Sequence, residues 1–198
     1  MGDENKIEKS VSVSVSQINV TGVQYYNGEI YILWVEDGFV SQVRHMFGSG
    51  GDSRYVSVYD GINYKEERKW QVPSYKRMSN MVVINKKVYV SDPHNKRLCV
   101  YSPAGEAITK VSHKIFRQPD HLAICASDSI IISDPGANRV SKLYIIENTI
   151  TWTCTEVESP RGVCCHISGG VFVWSQSTKS LFLLSSATGE LPNAAIYV

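Results

Sequence analysis

The chain has few of the features that usually announce a function. No apolar run approaches the roughly 20 residues that a membrane helix requires, which excludes a helical span. The opening, Met1 to Ser10, is charged and has no apolar core segment, so it does not read as a secretory signal. Lys6 stands where N-myristoylation requires Ser or Thr. The five cysteines are odd in number and none is spaced as C-x-x-C, which excludes the paired-cysteine zinc modules. Gly48-Ser49-Gly50-Gly51 is glycine-rich but lacks a following Lys-Ser or Lys-Thr, so it is a turn and not a phosphate loop. No nucleophile motif is present. A net charge of +1 on 198 residues points by itself neither to nucleic acid nor to a lipid surface.

What is present is a repeat. Val88 to Val100, Ile130 to Lys142 and Val171 to Leu183 share a pattern of apolar strand, polar turn and second strand, offset by 42 and then 41 positions. A fixed period in the 40s, with β-branched runs and no helical periodicity, is the mark of propeller blades.

The best copy supplies a template of four short antiparallel strands: Met81 to Ile84, Val88 to Ser91, Leu98 to Tyr101 and Ala107 to Ser112. The third copy predicts strands at Leu122 to Ile124, Ile130 to Ser133, Val140 to Ile145 and Ile150 to Val157. The fourth predicts Gly162 to His166, Gly170 to Trp174, Leu181 to Leu184 and a last strand near Ala195 to Val198. The first copy is disguised. Thr21 to Tyr25, Glu29 to Trp34 and Tyr55 to Tyr59 fit the template only if about 15 residues, broadly Glu36 to Ser53, are inserted between its second and third strands.

The expectation is an all-β fold: a β-propeller of about four four-stranded antiparallel blades, either partial and open or compact and closed. A flexible N-terminus covers residues 1–10 and the propeller 11–198, with blades at about 18–73, 74–115, 116–157 and 158–198. Val11 to Val15 alternates with period two and could supply a closing strand.

Tyr89 to Gly105 resembles an NHL repeat: an apolar strand ending in Asp92, an Asn-rich turn, Arg97, another strand, then a Gly turn. Asp134 to Val140 matches the same pattern. Ser175 and Ser180 replace the Asp and Arg in the fourth copy, and Trp34 is read at the Asp position of the first. The resemblance extends over roughly Val20 to Val198. It implies the propeller fold, but the family spans protein-binding and RNA-binding propellers of tripartite-motif ubiquitin ligases, receptor ectodomains and a zinc-dependent peptide-amidating lyase. It therefore fixes no activity, and the chain has no RING or B-box.

Four groups of residues are candidates. Asp92/Arg97 and Asp134/Arg139 recur at one offset, which favours a structural bridge across the turn over a ligand site. Lys65 to Arg117 holds twelve Lys or Arg against four Asp or Glu. Propeller geometry gathers Lys76, Arg77, His94, Lys96, Arg97, Arg117, His121 and Arg161 on one loop face. That face could meet an acidic protein surface or RNA phosphates, with Tyr75 or Phe116 available for stacking; the bland alternative is ordinary solvated loop charge. His121 alone approaches the expected channel, short of the three ligands a catalytic zinc needs, so neither metal nor cofactor is expected. Trp34, Trp70, Trp152 and Trp174 read as blade packing.

The expected protein is a non-enzymatic interaction module, cytoplasmic, without a membrane partner. Its partner is a protein, with RNA as the alternative and a metal-dependent propeller lyase or hydrolase as the remote one. The sequence leaves oligomeric state open.

Overall fold

The computed structural model describes residues 18–36, 53–72 and 80–191. Several expectations fall outside them: the flexible segment 1–10, the closing strand Val11 to Val15, the interior of the insert, Tyr75, Lys76, Arg77, and the last strand at Ala195 to Val198.

The described residues form fifteen strands and no helix. The first sheet comprises β1 (Ile18–Tyr26), β2 (Glu29–Glu36), β3 (Arg54–Asp60) and β4 (Glu66–Val72). The second comprises β5 (Met81–Ile84), β6 (Lys87–Asp92), β7 (Arg97–Tyr101) and β8 (Ala107–Ser112). The third comprises β9 (Leu122–Ile124), β10 (Ser129–Asp134), β11 (Arg139–Tyr144) and β12 (Thr149–Cys154). The fourth comprises β13 (Pro160–Cys165), β14 (Gly170–Ser175) and β15 (Ser180–Ser185). Each sheet is an antiparallel meander with its strands in chain order. The fold is a β-propeller of four blades.

Strand periodicity explains why the blades stack. Alternate residues point to opposite faces, and in the central strands both faces are apolar. Tyr31, Leu33, Val56 and Val58 of blade 1 meet Val83, Val88, Val90 and Cys99 of blade 2. Blade 2 turns Val82, Tyr89, Leu98 and Val100 to Leu122, Ile130, Ile132 and Leu143 of blade 3. Blade 3 turns Ala123, Ile131 and Val140 to Val171, Val173 and Leu184 of blade 4. The successive inner strands β1, β5, β9 and β13 adjoin one another.

Several strand ends shift by a residue or two, as β13 runs Pro160–Cys165 and not Gly162 to His166, and two other readings also change. The fourth strand of blade 3 ends at Cys154 and not at Val157. In blade 1, Arg54 pairs with Val35, as Arg97 pairs with Asp92 and Arg139 with Asp134. The Asp position is therefore filled by Val35 and not by Trp34. The insert concealed the count: its ends meet where the Glu36 N–H donates to the Ser53 carbonyl at 2.9 Å.

Candidate functional site

The loops between blades and the turns between second and third strands lie together on one end of the propeller. Side chains that fix backbone groups bring them together. The Asp134 carboxylate, buried at the end of β10, accepts from the backbone N–H groups of Arg117 and Gln118, both at 2.7 Å. Burial nevertheless raises its pKa above the usual carboxylate value, the backbone donors opposing that rise. Asn138 of the same turn accepts from Ser159 N–H of the next linker at 2.9 Å. In blade 4, Ser175 takes the Asp position and its hydroxyl donates to the Glu158 carbonyl at 2.6 Å. A shorter polar side chain thus still ties turn to linker.

The repeated Asp and Arg do not behave alike. Arg97 Nε donates to Asp92 Oδ2 at 2.9 Å, and Asp92 also accepts from the Asn95 amide. In blade 3, Asp134 holds the linker while Arg139 Nη1 donates to the Ile115 carbonyl at 3.0 Å. Both members of that second pair reach back to the 115–118 linker.

Nearer the axis, a second set joins blades to one another. The Asn80 amide accepts from Leu122 N–H of blade 3 at 3.2 Å and donates to the Thr21 carbonyl of blade 1 at 3.4 Å. Gln24 acts as a strand in miniature, bonding both the N–H and the carbonyl of Val83 at 2.7 and 2.8 Å. Ser133 accepts from His121 N–H and donates to the Arg161 carbonyl at 2.6 Å. Arg161 Nη1 bonds Asp120 Oδ2 at 2.5 Å, while Asp120 Oδ1 is buried with no protein partner. Sequence reading missed Gln24 and the double role of Asn80. The serines are visible as Ser91-Asp92 and Ser133-Asp134 but carry no signal in the sequence beyond that of strand ends.

The candidate face thus divides in two. The Arg97 and Arg161 guanidiniums are held by carboxylates, and Arg161 Nε also donates to Gln176. Arg117 is exposed, its Nη1 donating to the Lys114 and Phe116 carbonyls. Lys96 and His94 are exposed on the blade 2 turn, and the His121 side chain is half-buried. Phe116 is buried, packed in the core between blades 2 and 3, and so is unavailable for stacking. Among the described residues, no group of three or more His, Cys, Asp or Glu is placed to hold a metal ion.

The tryptophans also divide. Trp70 and Trp152 cover turn glycines of the following blades. Trp34 lies on the outer face of blade 1 against Tyr55, with Lys69 Nζ 4.2 Å from its ring and 4.1 Å from that of Tyr55. Trp174 lies on the opposite terminal face, that of blade 4, on the side of β14 away from Val173.

No protein-family model matches this chain, and no curated protein matches its sequence. Its backbone is similar to solved propellers. The WD40 β-propeller domain of Doa1 superposes with a TM-score of 0.66 at 12% identity, covering 91% of this chain and 54% of that one. A catalytically inactive virginiamycin B lyase from Staphylococcus aureus, solved with quinupristin, gives 0.67 at 8% identity, covering 96% and 59%. The Neurospora crassa Pan2 WD40 domain gives 0.63 at 8%, covering 90% and 49%. These likenesses establish the propeller fold. The chain spans about half the length of these structures.

Proposed function

We propose that this protein is a non-enzymatic interaction module that binds another protein on the loop face carrying His94, Lys96, Arg117 and His121. One observation carries the reading: the loops of that face are pinned by side chains that satisfy their backbone, which makes a rigid, preorganised platform. Preorganisation lowers the entropic cost of binding, because the loops need not be ordered on contact. The fold is consistent with a binding module, and the WD40 domains among the similar structures support this assignment.

A protein partner is favoured over RNA by how the arginines are used. Counterion release on RNA depends on cations free to meet phosphates. Two of the arginines assigned to the face, Arg97 and Arg161, instead have carboxylate partners at 2.9 and 2.5 Å. We assign the exposed charge to steering and orienting an acidic partner.

The test is a pull-down from native extract with the full chain, with and without RNase and at high salt. A protein retained after RNase and lost in Lys96→Glu/Arg117→Glu supports the reading. RNA recovered with a steep salt dependence would replace it with the RNA alternative. Metal-dependent turnover of a lyase substrate, abolished by His121→Ala, would overturn it in favour of an enzyme.

A further inference from the structure

The two ends of the blade series present apolar faces that no described blade covers. Within the series, each blade has one apolar face toward the blade before it and one toward the blade after it. Blade 1 has no predecessor and blade 4 has no successor among the described strands. The cores join blades 1 to 2, 2 to 3 and 3 to 4, and β13 does not pack against β1 as the successive inner strands pack on one another.

Strand register identifies both faces. On blade 1, Val20 pairs with Trp34, Val23 with Ile32 and Tyr25 with Ile30, all on the side away from the Tyr31/Leu33 core. Val20, Val23 and Tyr25 are 50%, 62% and 67% exposed. On blade 4, Phe172 pairs with Leu183 and Trp174 with Leu181, on the side away from the Val171/Val173 core, and Cys164 opposite Phe172 is exposed. Apart from Lys69, whose ammonium lies over the Trp34 and Tyr55 rings, these faces are apolar, the material of sheet-to-sheet packing.

We infer that these faces are covered by a second copy of this chain, in a two-fold dimer in which blade 4 of each protomer packs on blade 1 of the other. Three features select that occupant. The repeat makes the two end faces mutually complementary, because one is the kind of face that follows a blade and the other the kind that precedes one. A second copy supplies both missing neighbours at once, and a two-fold axis makes the two junctions equivalent, so the assembly closes without a free end. The length also fits: this chain covers 49% to 59% of the three solved propellers compared above, so a second copy supplies about the length that is missing, and two copies bring eight blades together. Propellers of up to about eight blades are established architecture. The inference rests on the fold alone, independent of what binds the loop face.

The experiment is sedimentation equilibrium of the full chain at micromolar concentration, with substitutions at exposed positions on the two inner strands, Val23→Asp and Cys164→Lys. The wild type should sediment at twice its mass of 22.1 kDa. Each variant alone should dissociate, with at least a tenfold loss of dimer affinity, because each damages both junctions. Mixed in equal amounts, they should dimerise again: one junction is then unsubstituted and the other opposes Asp to Lys. Circular dichroism melts confirm that the variants are folded, and Tyr25→Glu replaces Val23→Asp if that variant is not. A monomeric wild type overturns the inference. So do single variants that remain dimeric, a mixture that stays monomeric, and open assemblies that lengthen with concentration.

Discussion

The indole of Trp70, on the outer strand of blade 1, covers Gly105 in the β7–β8 turn of blade 2 so closely that a Cβ at Gly105 would fall 2.6 Å from Trp70 Cδ2. The contact recurs two blades later, where a Cβ at Gly189 would fall 2.4 Å from Trp152 Cε3. Both glycines have positive φ, 90° and 76°. Each outer-strand tryptophan thus clips its blade to the next at the rim, extending the core between the two blades outward.

Gly105→Ala should therefore destabilise on two counts, the left-handed backbone and displacement of the indole. Together these amount to about 2–4 kcal/mol. Gly28→Ala provides the control, since its φ of 86° is equally unfavourable but a Cβ there meets nothing within 4 Å. Urea unfolding of both proteins separates the terms, and equal losses would remove the indole from the explanation.

Arg161→Ala should cost about 2–3 kcal/mol, somewhat below a fully buried pair because the arginine is partly exposed. The loss arises from the Asp120 carboxylate, which remains buried with neither oxygen bonded by a side chain. Asp120→Ala in the same protein should recover part of it. A double-mutant cycle by chemical denaturation measures this, and strictly additive losses would show that the two residues act independently.

Asp134 gives an acid-range signature. Its folded pKa lies above the unfolded value of 3.8, mainly through burial, so the folded state holds the proton more tightly. Its contribution is complete below pH 3.8 and is lost as pH rises through the folded pKa. The stability of the wild type relative to Asp134→Asn should accordingly fall with rising pH across that window. A difference independent of pH would mean that the carboxyl is unperturbed.

Tyr31 titrates late. Burial first, and then its 2.6 Å hydrogen bond to Glu29, push the phenol up to about 12. In an ultraviolet titration, Tyr31→Phe should lose amplitude near pH 12 and none near pH 10. Stability from this group is present below pH 10 and lost as pH climbs toward 12, because the unfolded phenol ionises first.

The blades are legible along the chain. Runs such as Val88 to Ser91 and Ile130 to Ser133 are apolar on both faces and bounded by turn residues, and their spacing of 42 positions is legible without coordinates. The strand Ala107–Ser112 was placed to the residue. What one blade does to another was not legible, because no local pattern records it. Asp134 and Arg139 look like a pair in the repeat, yet both are directed to the 115–118 linker. Gly105 is visible as a turn, but that it lies under Trp70, 35 positions earlier, depends on how two sheets stack. Period and polarity are properties of neighbouring residues along the chain. Partnership across blades depends on the rotation of one sheet against the next, and it arises only when the sheets stack.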